Sequence, residues 1–551
     1  MQPNASGHIR DRVHTSTLQA TLRNFSLKIV LAFVSASGVL IGGMLPIKAQ
    51  TSNSPPPLQT SDIVTASIDL TNPGLTIPSS FSGFSFEYGD IINYTGRSTD
   101  TINPVFVQLL KNIANFNNGS PSVRIGGNSA DSSWWNPNGL DKPPGVGYNI
   151  TAMDLTSLEA SLSQTGSQLI LSLNLGQYNT NAFNAVSNAV AFVKAAQFNL
   201  ASNRVLSYEV GNEPDIYTSH AYYKDLATGA TVNVRNSSYS FNQYLAEFSN
   251  YSSALQSSFS KMPPLAGTAF TTSIYGWMQY FPSFLSSQSQ MMNLTTYHVY
   301  PLSACSWSKP GSSTYPTIPN LLSDQNSLVP AQKVATFVNQ AKKYGIPLSL
   351  SELNSVSCGG TNGVSNSFAS ALWGTDVMFN MASVGVRSVH FHTGSGGYYS
   401  PFTFSVNQSS KPFVYTATVN PLYYGMLLFA QAAANKSQLL PVSWQTTGNV
   451  RVWATIDNYN VVRVVAINKD LSASGNAKIQ LSSLRSAGSL VRLTAASASA
   501  TNGVTFAGQT FDGTTNGNPV GNYVTTKVTP VNGVYTFLLP AASAALLTIS
   551  P

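Results

Sequence analysis

The sequence predicts an α/β protein in which a (β/α)8 barrel of the TIM type precedes a C-terminal β-sandwich domain that an N-terminal strand completes. Three observations support this fold class. Eight short apolar runs alternate with helix-like stretches through the middle of the chain. From about Ser437 the pattern changes to alternating strands separated by Asn, Gly and Ser, and the early segment Ile63–Leu70 alternates in the same way. Strand–helix units indicate a barrel, and period-two alternation indicates a sheet with one buried face.

Each barrel strand is predicted from a run of apolar or β-branched residues. The helices between them show apolar residues at spacings of three and four, as in residues 184–197 and 329–343. The eight candidate strands are Gly83–Glu87, Ser122–Gly126, Leu169–Asn174, Leu206–Val210, Pro264–Phe270, Thr295–Tyr300, Pro347–Ser351 and Val386–His392.

The first 49 residues are predicted to be an export signal. A basic stretch ending at Lys28 precedes the apolar segment Ile29–Leu45, and a small residue, Ala49, offers a cleavage point. An uncleaved membrane anchor is the alternative, because the segment is nearly long enough to span a bilayer. The expected divisions are therefore a signal at 1–49, a linker and sandwich strand at 50–80, a barrel at 81–436 and a sandwich at 437–551. The mature protein is expected to be secreted or periplasmic, without stable membrane insertion.

The charge of the chain argues against nucleic-acid binding. The signal holds five basic residues and one acidic residue, so only +3 of the formal net charge of +7 remains after cleavage. Charged residues make up only 9% of the sequence, which leaves no polybasic surface. Cys305 and Cys358 are the two cysteines. In an oxidising compartment they can form a disulfide between the loops after strands six and seven, although two separate thiols are the alternative.

Two carboxylates follow predicted strands four and seven. Glu213 lies in Asn212-Glu213-Pro214, and Glu352 lies in Ser351-Glu352. Because functional side chains of a barrel lie at the carboxyl ends of its strands, the two glutamates should face each other across one mouth. Glycoside hydrolysis by the retaining route needs such a pair. Glu209 lies inside its strand and is interpreted as a partner in the barrel interior or at the surface.

These motifs resemble those of clan A glycoside hydrolases, and within the clan those of family 79, the β-glucuronidase and heparanase family. The resemblance extends from about Ile63 to the end of the chain. It implies that Glu213 is the acid/base and Glu352 the nucleophile. It also implies that Arg124 hydrogen-bonds the nucleophile, although a structural pairing of this arginine with another acid is the alternative.

The resemblance assigns further residues to the substrate pocket. Asn212 matches the clan residue that holds the sugar 2-hydroxyl, and Tyr300 would lie against the nucleophile. His298, two residues before Tyr300 and hence on the same face of its strand, would shape the sugar pocket or fill the core. Glu87, at the end of strand one, is a candidate ligand for more remote hydroxyls.

A glycine turn and a tyrosine are expected to bind the sugar carboxylate. Gly359 and Gly360 resemble the family's uronate-binding turn, whose backbone amides can donate hydrogen bonds without side-chain bulk. In the family a tyrosine after strand eight contacts the same carboxylate; Tyr399 is preferred here, and Tyr398 is the alternative. The implied activity is an exo-acting, retaining β-glucuronidase that works as a monomer on a glucuronic-acid-containing glycoside or oligosaccharide.

No cofactor or metal is expected. His390 and His392 are close in sequence, but no third ligand follows with zinc-site spacing, and alternate strand residues can fill the barrel core. Three rivals stay open: another clan A specificity such as a glucosidase, xylanase or arabinofuranosidase; a heparanase-like endo-enzyme; and a non-catalytic carbohydrate-binding protein. The low net charge disfavours an endo-enzyme for acidic polymers, and the presence of both glutamates disfavours the binding protein.

Overall fold

The computed structural model describes residues 61–177, 182–272, 276–394 and 396–551 of the 551-residue chain. The predicted export signal and residues 50–60 of the predicted linker lie outside the described residues. Across the described ranges, no helix combines the length and the apolar character that a membrane crossing requires.

Eight parallel strands form a closed barrel, as predicted, and each overlaps the run of residues that predicts it. The eighth strand pairs with the first, which closes the sheet. We number the barrel strands 1 to 8 in chain order: Ser82–Glu87, Ser122–Gly126, Leu169–Leu173, Val205–Val210, Leu265–Phe270, Met292–Val299, Leu348–Leu353 and Val389–His392.

The helices cover the outside of the barrel, so strands 2, 3 and 7 are buried along their whole length. Local sequence sets where helices begin: the Asn103 side chain accepts hydrogen bonds from the N–H groups of Val105 and Phe106, and Pro104 occupies the first helical turn. The helices are Ile91–Thr95, Pro104–Asn117, Ala152–Leu162, Ala185–Asn199, Phe241–Ser258, Phe281–Gln288, Ile318–Leu321, Leu328–Lys342, Phe368–Ser383 and Pro421–Ala432.

In the part of the barrel that the structure describes, the loops contain four short strand pairs. Three of them follow strands 2, 4 and 8 in sequence, and the fourth joins the loops after strands 6 and 7. The pairs are Ser133–Trp135 with Tyr148–Ile150, Ala221–Lys224 with Thr231–Asn233, Phe402–Asn407 with Val414–Val419, and Leu302–Ser303 with Val356–Ser357.

The C-terminal sandwich consists of two sheets, and the N-terminal strand Asp62–Ile68 completes one of them, as predicted. This strand runs antiparallel to Val442–Thr446 and parallel to Gly475–Leu481, which in turn pairs with Val534–Leu539. The other sheet contains Gln438–Leu439, Val450–Ile456, Val462–Asn468, Gly488–Thr494, Thr505–Phe506, Thr526–Val528 and Ser543–Ile549.

Two helices join the barrel to the sandwich. Phe368–Ser383 and Pro421–Ala432 are buried along nearly their whole length, because one side packs on the barrel and the other on the larger sheet. The Phe379 ring stacks on Trp453 with centroids 5.4 Å apart. A buried ion pair of 2.8 Å between Asp376 and Lys469 lies in the same interface. The sandwich therefore packs on the barrel through these two helices.

Candidate active site

The structure places the two candidate glutamates at the carboxyl ends of strands 4 and 7. Glu352 is the penultimate residue of strand 7 and is only 7% exposed. Glu213 lies three residues beyond the end of strand 4 and is partly buried. Both side chains therefore reach the mouth of the barrel where loops can enclose a substrate.

An unusual backbone conformation fixes the position of Glu213. Its φ is +50°, in the left-handed region, and its N–H donates to the carbonyl of Ala269 on strand 5 at 2.9 Å. The neighbouring Asp215 carboxylate accepts a hydrogen bond from the Thr271 N–H at 3.1 Å. Hydrogen bonds with Ala269 on strand 5 and with Thr271 directly after it thus hold the loop after strand 4 in place. Left-handed φ in a residue other than glycine is strained and clusters at functional sites.

His298 links the two glutamates. Its Nδ1 lies 2.9 Å from Glu213 Oε1 and 3.9 Å from Glu352 Oε2, while its Nε2 lies 3.1 Å from the Ser351 hydroxyl. One ligand atom from each of Glu213, His298 and Glu352 lies within 4.8 Å of the other two. His298 is wholly buried, so it is both a core residue and a contact of the acid pair.

Glu352 is surrounded by donors and positive charge. Arg124 Nη1 donates to its Oε2 at 2.8 Å, and the Tyr300 hydroxyl donates to its Oε1 at 2.6 Å. Burial alone would raise the pKa of the Glu352 carboxyl, but the charges of His392, His298 and Arg124 and the Tyr300 hydrogen bond lower it well below its usual value. The carboxylate is therefore ionised at neutral pH, as a nucleophile must be.

Asn212 is held by the same arginine. Arg124 Nη2 donates to Asn212 Oδ1 at 2.9 Å, and Asn212 Nδ2 donates to Asn128 Oδ1 at 3.2 Å. The side chain lies beside the acid pair and is 3% exposed. Arg124 contacts only the amide oxygen of Asn212, so the amide nitrogen can donate to other groups.

Glu87 lies at the end of strand 1, as the sequence predicts, and its carboxylate contacts the loop after strand 2. It accepts hydrogen bonds from the N–H groups of Asn128 at 3.1 Å and Ser129 at 2.7 Å. Although burial would raise the pKa of Glu87, His392 and Ser129 lower it. The Glu87 carboxylate therefore holds the backbone of this loop in place, and 28% of the side-chain surface remains exposed.

His392 lies at the site, although its alternation with His390 in the sequence also fits a residue that fills the barrel core. Its Nδ1 lies 3.6 Å from Glu352 Oε2 and its Nε2 lies 3.6 Å from Glu87 Oε1. Burial lowers the pKa of His392, but the charges of Glu352 and Glu87 outweigh it and raise that pKa. Its position at the carboxyl end of strand 8 is the sequence signal that could have identified it.

His390 has the predicted core position. Its Nε2 lies 2.9 Å from the Ser122 hydroxyl and its Nδ1 lies 3.1 Å from the Leu350 carbonyl. Burial lowers the pKa of His390 to about 4. The imidazole is therefore neutral at physiological pH and satisfied by its neighbours.

The predicted disulfide between Cys305 and Cys358 is present, with Cα atoms 5.3 Å apart. It joins the loops after strands 6 and 7 directly before the glycine turn. Gly359 and Gly360 have φ of +85° and +80°, which side-chain-bearing residues rarely adopt. A Cβ on Gly360 would also lie 2.9 Å from the Tyr399 nitrogen, so the turn packs closely on the loop after strand 8.

The two tyrosines of that loop differ in position. The Tyr399 ring lies 6.1 Å from the Tyr300 ring and 6.0 Å from the His392 ring, measured between centroids, so it borders the acid pair. Tyr398 is 48% exposed, and its N–H donates to the Gly359 carbonyl at 2.8 Å. The geometry therefore favours Tyr399 over Tyr398 as a group that faces the pocket.

Within the described residues, one group of three possible metal ligands has its ligand atoms close enough together to hold an ion. It consists of Glu213, His298 and Glu352. Each already has a partner, and the Arg124 guanidinium lies 2.8 Å from Glu352. A neighbouring cation opposes the binding of a second one. The cluster therefore fits a pair of hydrolytic carboxylates better than a metal site.

Known sequences resemble this chain in its C-terminal domain and along most of its length. The family model "Glycosyl hydrolase family 79 C-terminal beta domain" matches residues 452–546. A protein named "Beta-glucuronidase" from Aspergillus niger is 26% identical over 513 residues, which cover 85% of this chain and 90% of that protein. A second protein of that name, from Neurospora crassa, is 24% identical and covers 74% of both chains.

Solved structures share the fold. A 4-O-α-L-rhamnosyl-β-D-glucuronidase from Fusarium oxysporum, solved with Rha-GlcA, superposes with a TM-score of 0.69 at 19% identity and covers 88% of this chain and 100% of its own. A GH51 arabinofuranosidase from Xanthomonas axonopodis pv. citri has a TM-score of 0.61 at 16% identity over 89% of this chain and 100% of its own. The C-terminal sandwich thus matches the C-terminal domain of glycoside hydrolase family 79, and the chain is similar to two β-glucuronidases along most of its length.

Proposed function

We propose that this glycoside hydrolase is a retaining exo-β-glucuronidase, with Glu213 as acid/base and Glu352 as nucleophile. The observation that carries the proposal is the proximity of the two carboxylates, which have oxygen atoms within 4.8 Å of each other. Retaining enzymes hold their carboxyl groups about 5 to 5.5 Å apart, whereas inverting enzymes need room for a water between them.

The different surroundings of the two glutamates support their roles. Glu352, held ionised beside Arg124, attacks the anomeric carbon while Glu213 gives its proton to the leaving oxygen. Glu213 then removes a proton from the water that cleaves the glycosyl-enzyme and restores Glu352. His298, in contact with Glu213, helps to orient the acid for both proton transfers.

The glycine turn supports a uronic acid as the sugar. A carboxylate that leaves water needs several donors, and successive backbone amides can supply them. A Cβ on Gly360 would lie 2.9 Å from the Tyr399 backbone nitrogen, so the turn adjoins Tyr399. We assign the Tyr399 hydroxyl as a further donor to the sugar carboxylate. Asn212 is assigned to the sugar 2-hydroxyl and Glu87 to a more distant hydroxyl. The names of the two curated relatives agree with glucuronide as the substrate class.

Three further features belong to the proposal. Exo action is supported by the low net charge, because a cleft for long acidic polymers would be lined with cations. Export, with cleavage near Ala49, is supported by the leader and the disulfide. We also propose that the protein works as a monomer. The N-terminal residue and the mass of the secreted protein in solution test the cleavage point and the oligomeric state.

The mechanism is tested by Glu213→Gln and Glu352→Gln. We expect Glu213→Gln to lower activity on glycosides with poor leaving groups by about 10²- to 10⁴-fold, because general acid catalysis is lost. With an activated aryl glucuronide this variant should still form the glycosyl-enzyme, and azide should release it as the β-glucuronosyl azide. Glu352→Gln should be inactive with or without azide. Full activity in either variant would contradict the assignment.

The substrate class is tested with a panel of p-nitrophenyl β-glycosides. The enzyme should hydrolyse the glucuronide far faster than the glucoside, xyloside or arabinofuranoside. Tyr399→Phe should lower the ratio of glucuronide to glucoside rates by about ten- to hundredfold, since a hydrogen bond to a charged group contributes about 1.5 to 3 kcal/mol. Tyr398→Phe is the matched control and should leave the ratio unchanged. Equal rates on glucoside and glucuronide in the unmutated enzyme would refute the uronate pocket.

A further inference from the structure

Glu209 is a buried carboxylate that the proposed reaction does not use. It lies in strand 4 and is 0% exposed. Its Oε2 accepts hydrogen bonds from Arg124 Nε at 2.8 Å and from the Ser172 hydroxyl at 2.9 Å. Burying a carboxylate is costly unless a cation and hydrogen bonds compensate. Here the compensating cation is the arginine that also contacts the nucleophile.

Arg124 donates hydrogen bonds to four side chains: Glu209, Glu352, Asn212 and, from Nη1 at 3.2 Å, the Ser85 hydroxyl. The edge formed by Nε and Nη2 faces Glu209, with Nη2 2.6 Å from Glu209 Oε2. Nη1 donates to Glu352 and Nη2 also donates to Asn212. Because a guanidinium is planar and rigid, fixing one edge fixes the directions of its other N–H groups. The geometry at Glu209 thus determines where Arg124 points within the site.

We propose that Glu209 is a positioning residue: it aims Arg124 so that one guanidinium aligns the nucleophile Glu352 and the amide of Asn212 together. This inference rests on the proposed roles of those two residues. The Glu209 carboxylate also offsets part of the arginine's charge, which leaves Glu352 less tightly bound and better able to attack. Without Glu209, Arg124 would turn towards Glu352 and release Asn212.

The proposal predicts that Glu209→Gln acts on catalysis rather than on binding. Glutamine keeps the shape of the side chain but loses its charge, so the two-donor contact with Arg124 weakens. We expect kcat on p-nitrophenyl β-glucuronide to fall by about ten- to hundredfold while KM changes by less than about threefold, because small misplacements of reacting groups carry costs of this size.

A substrate without the 2-hydroxyl separates positioning from a general structural effect. In the unmutated enzyme, removal of the 2-hydroxyl loses the contact with Asn212. In Glu209→Gln that contact is already impaired, so the rate ratio of the glucuronide to its 2-deoxy analogue should shrink by about tenfold. The intrinsic reactivities of the two substrates cancel when the ratios of the two enzymes are compared.

Asp376→Asn is the matched control, because it neutralises another buried carboxylate that pairs with a cation, Lys469, at 2.8 Å and 0% side-chain exposure. Asp376 lies between barrel and sandwich rather than in the site. This variant should lower thermal stability and leave both kcat and the 2-deoxy ratio unchanged.

A shorter acid at the same position gives a second test if Glu209→Gln does not fold. Glu209→Asp keeps the charge but draws Arg124 away from Glu352 and Asn212, so it should show the same fall in kcat and the same smaller 2-deoxy ratio. The inference is overturned if either folded variant keeps kcat within twofold of the unmutated enzyme, or loses kcat with the 2-deoxy ratio intact. Failure of the acid/base and nucleophile assignment would appear instead as activity in Glu352→Gln.

Discussion

Glu213 and Glu352 carry the same functional group in different surroundings. Glu352 accepts hydrogen bonds from Arg124 and Tyr300 and is almost fully buried. Glu213 keeps more exposure, and its carboxylate has His298 as its neighbour at 2.9 Å. In the proposed mechanism, Glu352 is the carboxylate that stays ionised, and Glu213 is the group that transfers protons to and from substrate and water.

Removal of the Tyr300 hydroxyl should shift the pH dependence of the reaction. This hydroxyl helps to lower the pKa of Glu352, so Tyr300→Phe raises that pKa, and Glu352 becomes protonated at a higher pH. The acidic limb of kcat/KM should therefore move upward, by roughly one pH unit for about 1.4 kcal/mol of lost interaction. At neutral pH, kcat/KM should fall by about ten- to hundredfold.

Tyr297→Phe is the control for this shift. Tyr297 is on strand 6, three residues before Tyr300, and its ring packs on Phe337 with centroids 5.4 Å apart. Its variant should keep the pH profile of the unmutated enzyme. An unchanged acidic limb in Tyr300→Phe would show that the Tyr300 hydroxyl does not control the ionisation of Glu352.

The sequence predicts the residues of this site unequally. Glu213 and Glu352 could be located because they follow the apolar runs that predict strands 4 and 7. His392 is harder to place, since His390 and His392 are two residues apart and share one face of their strand. Only the position of His392 at the carboxyl end of the strand separates it from the core residue His390. Glu209 likewise appears as an interior residue, but its contact with Arg124 depends on how strands 2, 3 and 4 are staggered.

At the scale of elements, all eight barrel strands could be predicted because each is a short, almost wholly buried apolar run. The sequence pattern does not predict the strand pair Phe402–Asn407 and Val414–Val419, because its residues are mostly exposed or half-buried. Among the described residues, these two strands form a sheet of their own. Loops of this kind are determined by packing on the barrel rather than by local pattern.

The disulfide joins two loops whose positions decide the shape of the pocket. In a Cys305→Ser, Cys358→Ser double variant, the free energy of unfolding should fall by about 2 to 5 kcal/mol. The glycine turn after Cys358 would lose its anchor, so KM for the glucuronide should rise more than kcat falls. Thermal unfolding and steady-state kinetics measure the two effects.

Reduction of the unmutated enzyme provides the control. Dithiothreitol should reproduce the rise in KM in the unmutated enzyme and leave the double variant unaffected. If the double variant keeps the KM of the unmutated enzyme, the cross-link stabilises the chain without shaping the pocket.

At the scale of the whole molecule, the N-terminal strand makes the sandwich discontinuous. Asp62–Ile68 lies between two other strands of its sheet, and Val64, Ala66 and Ile68 are each 1% exposed. The chain therefore closes the sandwich with residues that precede the barrel, so the two parts depend on each other for a complete core. The alternation of apolar and polar residues near the N-terminus is sufficient to predict this strand, because such alternation is typical of a strand with one buried face.

Truncation of one buried side chain in this strand tests that dependence. Ile68→Ala should lower the free energy of unfolding by about 2 to 5 kcal/mol, because it removes methylene groups from a closed core and leaves a cavity. Thr65→Ala, at an exposed position of the same strand, should change it by about 0.5 kcal/mol or less. Both folded variants should keep the kcat of the unmutated enzyme, since the strand pairs with the sandwich and not with the barrel strands that carry the glutamates. Denaturant unfolding followed by tryptophan fluorescence, with kcat measured on the same samples, makes the comparison. Equal losses in the two variants would mean that the strand contributes to the sheet without contributing to its core.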